Sequence, residues 1–245
     1  MPLCPCCERI TTKPDSGGLV HCFACALSFA AHRETTVCYD QAYVAKRYDR
    51  YPTTEQMSAL RRNVFEHVLY IEEAISCDRR FGFQRGSLLD VGFGNGSFIR
   101  HARECGWDAF GYDVNPTEYE GVRRKTLEEA LAAEWRVMSF FDSLEHFAEL
   151  IAARRLASRA EWLVVSVPLP PLNFVKEPTA WKHLRPGEHH WHFRQPWTLA
   201  RVFSGDTTSA RVVYASYPED SIRGKLPDGQ PNILTCVLKV ERKDA

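Results

Sequence analysis

No run in the 245-residue sequence approaches the roughly 18 apolar residues that a membrane-crossing helix needs. The opening Met1-Pro2-Leu3-Cys4 lacks the charged-then-apolar layout of a secretory leader, so a cytoplasmic protein without a membrane partner is expected. Neither sign of charge is in excess, with 31 Lys+Arg against 31 Asp+Glu. That balance argues against a partner held mainly by phosphate charge, whether bulk DNA or an anionic membrane, and leaves room only for a local basic patch. Internal repeats and low-complexity segments are absent too. With 44% hydrophobic and 25% charged residues, the chain is neither a disordered tail, a collagen nor a coiled coil. Its length suits one α/β domain with a small appendage.

The nine cysteines are unevenly placed. Five fall at the start, as Cys4, Cys6, Cys7, Cys22 and Cys25, and the others are scattered singly. Cys4-Pro5-Cys6-Cys7 and Cys22-Phe23-Ala24-Cys25 are two C-x-x-C hooks with 14 residues between them. Two hooks can surround one tetrahedral Zn²⁺ with four thiolates, so Cys4, Cys7, Cys22 and Cys25 are the expected ligands of a structural zinc ribbon. Cys6 and His21 compete for the same places. Residues 1–30 hold too few apolar positions to bury a core, and a metal would supply the missing folding energy.

Residues 31–80 read as a helical lid or linker. Met57, Leu60, Val64, Val68, Ile71 and Ile75 recur at spacings of three and four, which makes one apolar helix face. Tyr39, Tyr43, Tyr48 and Tyr51 precede that face and serve either as a lid over a ligand or as core packing. From residue 81 to 245 strand and helix patterns alternate. Extended runs are expected at Ser87–Val91, Trp107–Tyr112, Trp135–Phe141 and Trp162–Val167, with helices at Phe98–Cys105 and Thr126–Glu134. This implies an α/β fold, a doubly wound and mostly parallel sheet. Arg211–Tyr217 and Asn232–Val240 suit an antiparallel hairpin at its C-terminal edge. A proline- and aromatic-rich insertion at 168–197 is expected to cap the site.

The strand at Ser87–Val91 runs into Gly92-Phe93-Gly94-Asn95-Gly96 and then a helix. Such glycines permit a tight turn and close approach of a ligand to the main chain, and the helix start offers free N–H groups. Asp113 ends the next strand, 23 positions after Asp90, where an acid can accept hydrogen bonds from both ribose hydroxyls of a nucleoside. The spacing is neither G-x-G-x-x-G nor a Walker loop. Any α/β protein can carry a glycine turn, but one flanked by Asp90 and Asp113 is more specific. His183, His189, His190 and His192 crowd into ten residues, and His146 follows the third strand of the series. Histidine titrates near neutrality and can take a proton from an acceptor, so His146, His189 and His192 are the candidate catalytic groups. A second metal site built from Glu188, His189 and His192 lacks the helical H-E-x-x-H order.

Asp90-Val91-Gly92-Phe93-Gly94-Asn95-Gly96-Ser97-Phe98 resembles motif I of the class I S-adenosylmethionine-dependent methyltransferases. Gly111-Tyr112-Asp113 is similar to their acidic motif II. Asp142-Ser143-Leu144-Glu145-His146, Ser166-Val167-Pro168 and Glu188-His189-His190-Trp191-His192-Phe193 resemble later segments of a branch that acts on small molecules and sugars and begins with a zinc ribbon. The resemblance implies that Gly92, Phe93, Gly94, Asn95 and Gly96 hold the methionine end of S-adenosylmethionine and that Asp90 supports its ammonium. It implies that Asp113 holds the ribose, that Phe141 and Asp142 line one wall, and that Thr126 and Leu127 lie at the adenine edge. The function so implied is methyl transfer to a small-molecule or sugar-type acceptor with histidine-assisted proton removal. A nucleic-acid methyltransferase using Arg79-Arg80, Arg123-Arg124-Lys125 and Arg154-Arg155 as a footprint is the first alternative. The neutral charge and the lack of an N-P-P-Y-type segment speak against it. A non-enzymatic binding module is the second, and the intact Asp90, glycine loop and Asp113 speak against that.

Overall fold

The computed structural model describes residues 1–48, 86–217, 220 and 231–243. The apolar helix face expected at Met57–Ile75 lies outside the described residues. The chain begins with two short strands, β1 (Leu19–Cys22) and β2 (Leu27–Ala30), and a helix α1 (Gln41–Tyr48). It then alternates β3 (Ser87–Val91), α2 (Ser97–Glu104), β4 (Asp108–Tyr112), α3 (Leu127–Ala132), β5 (Trp135–Phe141), α4 (Leu150–Ala157) and β6 (Ala160–Pro168). A short strand β7 (Trp191–Phe193) leads into α5 (Pro196–Phe203), and β8 (Thr208–Ser216) and β9 (Ile233–Arg242) finish the chain.

The strands form two sheets. Six of them lie in the order β4-β3-β5-β6-β9-β8. The first four are mutually parallel, and β9 joins β6 and β8 antiparallel. This is the mostly parallel sheet with a C-terminal hairpin that the sequence predicts. Its inner strands read as nearly unbroken apolar runs because both faces are covered. Alternation sorts their side chains. Leu88, Val137, Val164 and Val237 face α2 through Phe98, Ile99 and Ala102. Leu89, Met138, Phe140, Leu163 and Val165 face α4 and α5 through Leu156, Leu199, Val202 and Phe203.

Local signals explain the helix ends. Asp40 caps α1, accepting the Tyr43 N–H at 2.8 Å. Gly106, at φ 88°, ends α2, where its own N–H reaches the Arg103 carbonyl and that of Trp107 reaches Ala102, a Schellman pair. Thr126 and Glu129 form a reciprocal capping box on α3. Pro196 opens α5 at a position where its missing N–H costs nothing. That helix begins inside the stretch expected to be a loop.

The second sheet has the order β1-β2-β7. Its outer strand comes from the far end of the 168–197 insertion, paired antiparallel with β2 as Leu27 to Phe193, Ser28 to His192 and Phe29 to Trp191. The N-terminal segment and the insertion therefore share one sheet. Val20, Leu27, Phe29, Trp191 and Phe193 bury their side chains in the same core as the α4 and α5 face of the large sheet.

Phe203 seats α5 on β5, its ring 5.7 Å from that of Phe140, and it is fully buried. Phe203→Ala should cost about 3–5 kcal/mol, the usual range for emptying such a site. Urea unfolding followed by circular dichroism measures this, and a loss below about 1 kcal/mol would contradict the packing described.

Candidate functional site

Three loops leave the same edge of the parallel strands and meet there. Gly92, after β3, has φ +76°, and a Cβ on it would stand 2.5 Å from the Ser143 Cβ. Ser143, after β5, donates its hydroxyl to the Val91 carbonyl at 2.7 Å. Gly96, also at positive φ, leaves no room for a Cβ beside Val122. The Gly94 N–H donates to Asp113 Oδ2 at 3.0 Å, and the Asn115 N–H to Oδ1 at 2.8 Å. Arg124 fixes the loop after β4 by donating to the carbonyls of Asp113, Asn115 and Thr117. Burial pushes the Asp113 carboxyl above its ordinary pKa, against the opposing pull of those two amides and Arg124.

These loops open onto a cavity of about 540 Å³. Gly92, Gly94, Asp113, Phe141 and Asp142 of the expected cofactor residues line it, joined by Asn115 and Ser143. Asp142 holds a left-handed backbone at φ 48°, a conformation that Asp tolerates better than most residues. The cavity has the size of a small-molecule pocket. Its lining offers a side-chain-free turn at Gly92, an acid at a strand tip, and a buried Asn115 Nδ2 with no hydrogen-bond partner, groups of the kind a nucleoside can use. Sequence reasoning missed Asn115, whose only signal is its place two residues after Asp113.

Other expected cofactor residues stand back from the cavity. Asp90 is buried within β3 and accepts the Ser139 hydroxyl at 2.7 Å. The Phe93 ring turns into the core beside Tyr119 and Ile99, so only its backbone belongs to the loop. Asn95 Oδ1 accepts the Ser97 N–H. Thr126 and Leu127, expected at the adenine edge, do not line the cavity. The Thr126 hydroxyl is spent on the capping box, and Leu127 is exposed. The helix-start residues that looked available in the sequence are committed to the helix itself.

The same cavity is lined by His146 and His189, from segments more than 40 positions apart. Their rings meet edge to face at 4.7 Å. The Tyr39 hydroxyl lies 3.0 Å from His146 Nδ1. Tyr43 and Arg47 of α1 also line the cavity, and both bond the Glu188 carboxylate, as does Arg185. Burial, then the charges of Arg47 and Arg185, pushes His146 down to about 3. His189 is pushed down as well, by burial first and then by His146 and Arg185. Both imidazoles are therefore neutral at ordinary pH. His192 is placed differently. It lies in β7 against Phe174 and Trp181, outside the cavity lining. The strand alternation that puts Trp191 and Phe193 in the core turns His192 to the opposite side.

Most of the described basic residues suggested as a nucleic-acid footprint have local partners. Arg123 pairs with Asp108 and covers the Phe110 ring. Lys125 pairs with Glu129, and Arg154 donates to the Val202 carbonyl. Arg79 and Arg80 lie outside the described residues.

At the N-terminus the thiols of Cys4, Cys7, Cys22 and Cys25 lie within 4.8 Å of one another. No disulfide joins the described cysteines. Hydrogen bonding to Cys6 and burial raise the Cys4 thiol, and burial raises Cys22 and Cys25. Cys7 shifts the other way, lowered despite burial by hydrogen bonds from the Arg9 backbone and the neighbouring thiols. Both competitors drop out of the cluster. His21 spends Nδ1 on Ser28 and Nε2 on Asp15, and Cys6 is not among the four clustered thiols. Arg201 donates to Cys25 Sγ at 3.7 Å.

Among the described residues no helix is long and apolar enough to cross a membrane. No curated protein matches the sequence. The fold is similar to that of magnesium protoporphyrin IX methyltransferase from Synechocystis PCC 6803 with bound SAH. There 13% of residues are identical, 81% of this chain and 93% of that chain are covered, and the TM-score is 0.51. It is also similar to the plantazolicin methyltransferase BamL in complex with a triazolic desmethylPZN analog and SAH, with 13% identity, 81% and 90% coverage and a TM-score of 0.51. The profile of a family described as a methyltransferase domain matches residues 69–205, more than half of the sequence. The chain thus belongs to the methyltransferase domain family, and it shares the fold of these SAH-binding methyltransferases.

Proposed function

We propose that the enzyme methylates a small-molecule acceptor of the sugar type, and that His146 and His189 assist loss of the acceptor's proton. One observation carries this reading: a single cavity is lined by the glycine loop and Asp113 on one hand and by the two histidines on the other. S-adenosylmethionine supplies an electrophilic methyl carbon on a sulfonium, so little covalent work is left to the protein. Gly92 and Gly94 present bare backbone to the amino-acid end, and Asp90 adds negative charge from behind the loop. Asp113 accepts the ribose hydroxyls, Asn115 Nδ2 offers a donor, and Phe141 and Asp142 close one wall. Tyr39, Tyr43, Arg185, Glu145 and the histidines make the rest of the lining rich in hydrogen-bonding groups, which suits a hydroxylated acceptor. The two similar enzymes are a magnesium protoporphyrin IX methyltransferase and a plantazolicin methyltransferase, and neither is named for a nucleic acid.

We also propose that Cys4, Cys7, Cys22 and Cys25 hold one Zn²⁺. Four thiolates leave no open position, so the ion's part is structural. It would fasten the N-terminal segment as a ribbon beside β1 and β2, ahead of an 81–245 catalytic unit.

Calorimetry should show S-adenosylmethionine binding that Asp113→Ala weakens more than tenfold with the fold intact; unchanged affinity refutes the ribose role. Affinity should also fall on acidification from above the ordinary Asp value of 3.8, because the raised carboxyl takes up its proton early and then stops accepting. Asp113→Asn should abolish that pH dependence. Incubation of extracts with methyl-labelled cofactor should place label in the small-molecule fraction, and label in nucleic acid overturns the acceptor class. With that acceptor, His146→Ala and His189→Ala should lower turnover more than cofactor affinity. Metal analysis should find about one zinc per chain, lost in Cys22→Ser/Cys25→Ser, and none after anaerobic handling would refute the ribbon site.

A further inference from the structure

Glu145 and His146 lie in the turn after β5, and His189 lies just before β7. Each brings one metal-ligating atom within 4.8 Å of the other two. All three residues line the cavity. This is not the exposed carboxylate cluster common on surfaces: Glu145 is 1% exposed and His189 4%. His189 Nδ1 is buried with no hydrogen-bond partner, although a buried ring nitrogen ordinarily has one.

The surroundings of the two rings resemble an outer shell of ligand support. His146 turns Nδ1 to the Tyr39 hydroxyl at 3.0 Å and Nε2 toward Glu145 Oε1 at 4.0 Å. His189 turns Nε2 toward Glu188 Oε1 at 3.7 Å, leaving Nδ1 as its second nitrogen. Metal-ligating imidazoles characteristically give their far nitrogen to a carboxylate or another oxygen, which fixes tautomer and ring angle. Glu188 in turn bonds Arg47 and Arg185, so those cations are held on a carboxylate of their own. A drawing-in of about 1 Å would bring the three atoms to the edge lengths of a coordination polyhedron with bonds of about 2.0–2.2 Å.

We propose that Glu145, His146 and His189 bind a divalent first-row transition-metal cation whose remaining positions face the cavity and take two oxygens of the acceptor. Two imidazoles and one carboxylate form a borderline ligand set, distinct from the thiolate cluster at the N-terminus. The site rests on the methyl-transfer reading only for its acceptor, and it deepens that reading. It makes the histidines act as ligands rather than as proton takers, and it selects acceptors with adjacent oxygens, such as vicinal hydroxyls. A cation there strengthens the acidity of a bound hydroxyl, whose proton then passes to solvent.

The test uses full-length protein purified with its N-terminal metal in place. Mn²⁺ is the probe, since it favours nitrogen and oxygen over thiolate. Electron paramagnetic resonance should report one bound Mn²⁺ per chain in the wild type. Binding should weaken at least tenfold in His189→Ala and in the milder Glu145→Gln, with far-ultraviolet circular dichroism and bound zinc unchanged. Tyr39→Phe should weaken it by a smaller factor. No bound Mn²⁺ in the wild type overturns the site, as does binding that neither Glu145→Gln nor His189→Ala alters. S-adenosylmethionine calorimetry on the same samples separates the two claims. Cofactor binding without Mn²⁺ binding removes the metal site alone, and Mn²⁺ binding without cofactor binding removes the methyl-transfer reading alone.

Discussion

The site depends on two hydrogen bonds that tie three loops together at one edge of the parallel sheet. The Gly94 N–H reaches across to Asp113, and the Ser143 hydroxyl reaches back to the Val91 carbonyl. Neither bond forms unless β3 lies between β4 and β5 in parallel register, as Val91 opposite Tyr112 and Asp90 opposite Ser139. The register in turn follows from side-chain alternation. A slip of one residue would turn Leu88 and Val137 away from α2 and expose the opposite set. Burial of the sheet's two faces thus fixes where the loops end, and the loop ends fix the cavity.

The N-terminal segment completes the site from the other side. Its strand β2 pairs with β7, the Ala30 N–H donates to the His190 carbonyl, and Thr36 bonds Gly187. The Thr35 hydroxyl meets His190 Nε2, and Arg33 bonds the Ala148 carbonyl. These contacts bracket His189 and hold it against His146. The cysteine cluster stands at the root of the same small sheet, so whatever stabilises the cluster also steadies one wall of the cavity. An appendage with four clustered thiols and few apolar residues contributes position here, while the large sheet supplies most of the core.

Much of this was legible in the sequence because it rests on short-range chemistry. The mostly apolar runs at Ser87–Val91 and Trp135–Phe141, Gly106 after a helix and the paired cysteines all carry their meaning within a few residues. What escaped depends on distant partners. Strand β7 is three residues long and is defined only by its pairing with β2. Helix α5 hides behind Pro196 in an aromatic stretch that reads as loop. Thr126 looked available for a ligand because a capping box and a binding edge use the same residue type. The assembly of Glu145, His146 and His189 joins two segments more than 40 positions apart. The grouping of Glu188, His189 and His192, disfavoured by its order in the sequence, does not form, because alternation along β7 sends His192 to the far side.

The most direct test of the account is a crystal structure of the protein with S-adenosylhomocysteine. The account predicts ribose hydroxyls within hydrogen-bond distance of the Asp113 carboxylate, the amino-acid tail against Gly92 and Gly94, and the sulfur facing the wall that carries His146 and His189. A nucleoside seated elsewhere, or a sulfur turned away from both histidines, would contradict it.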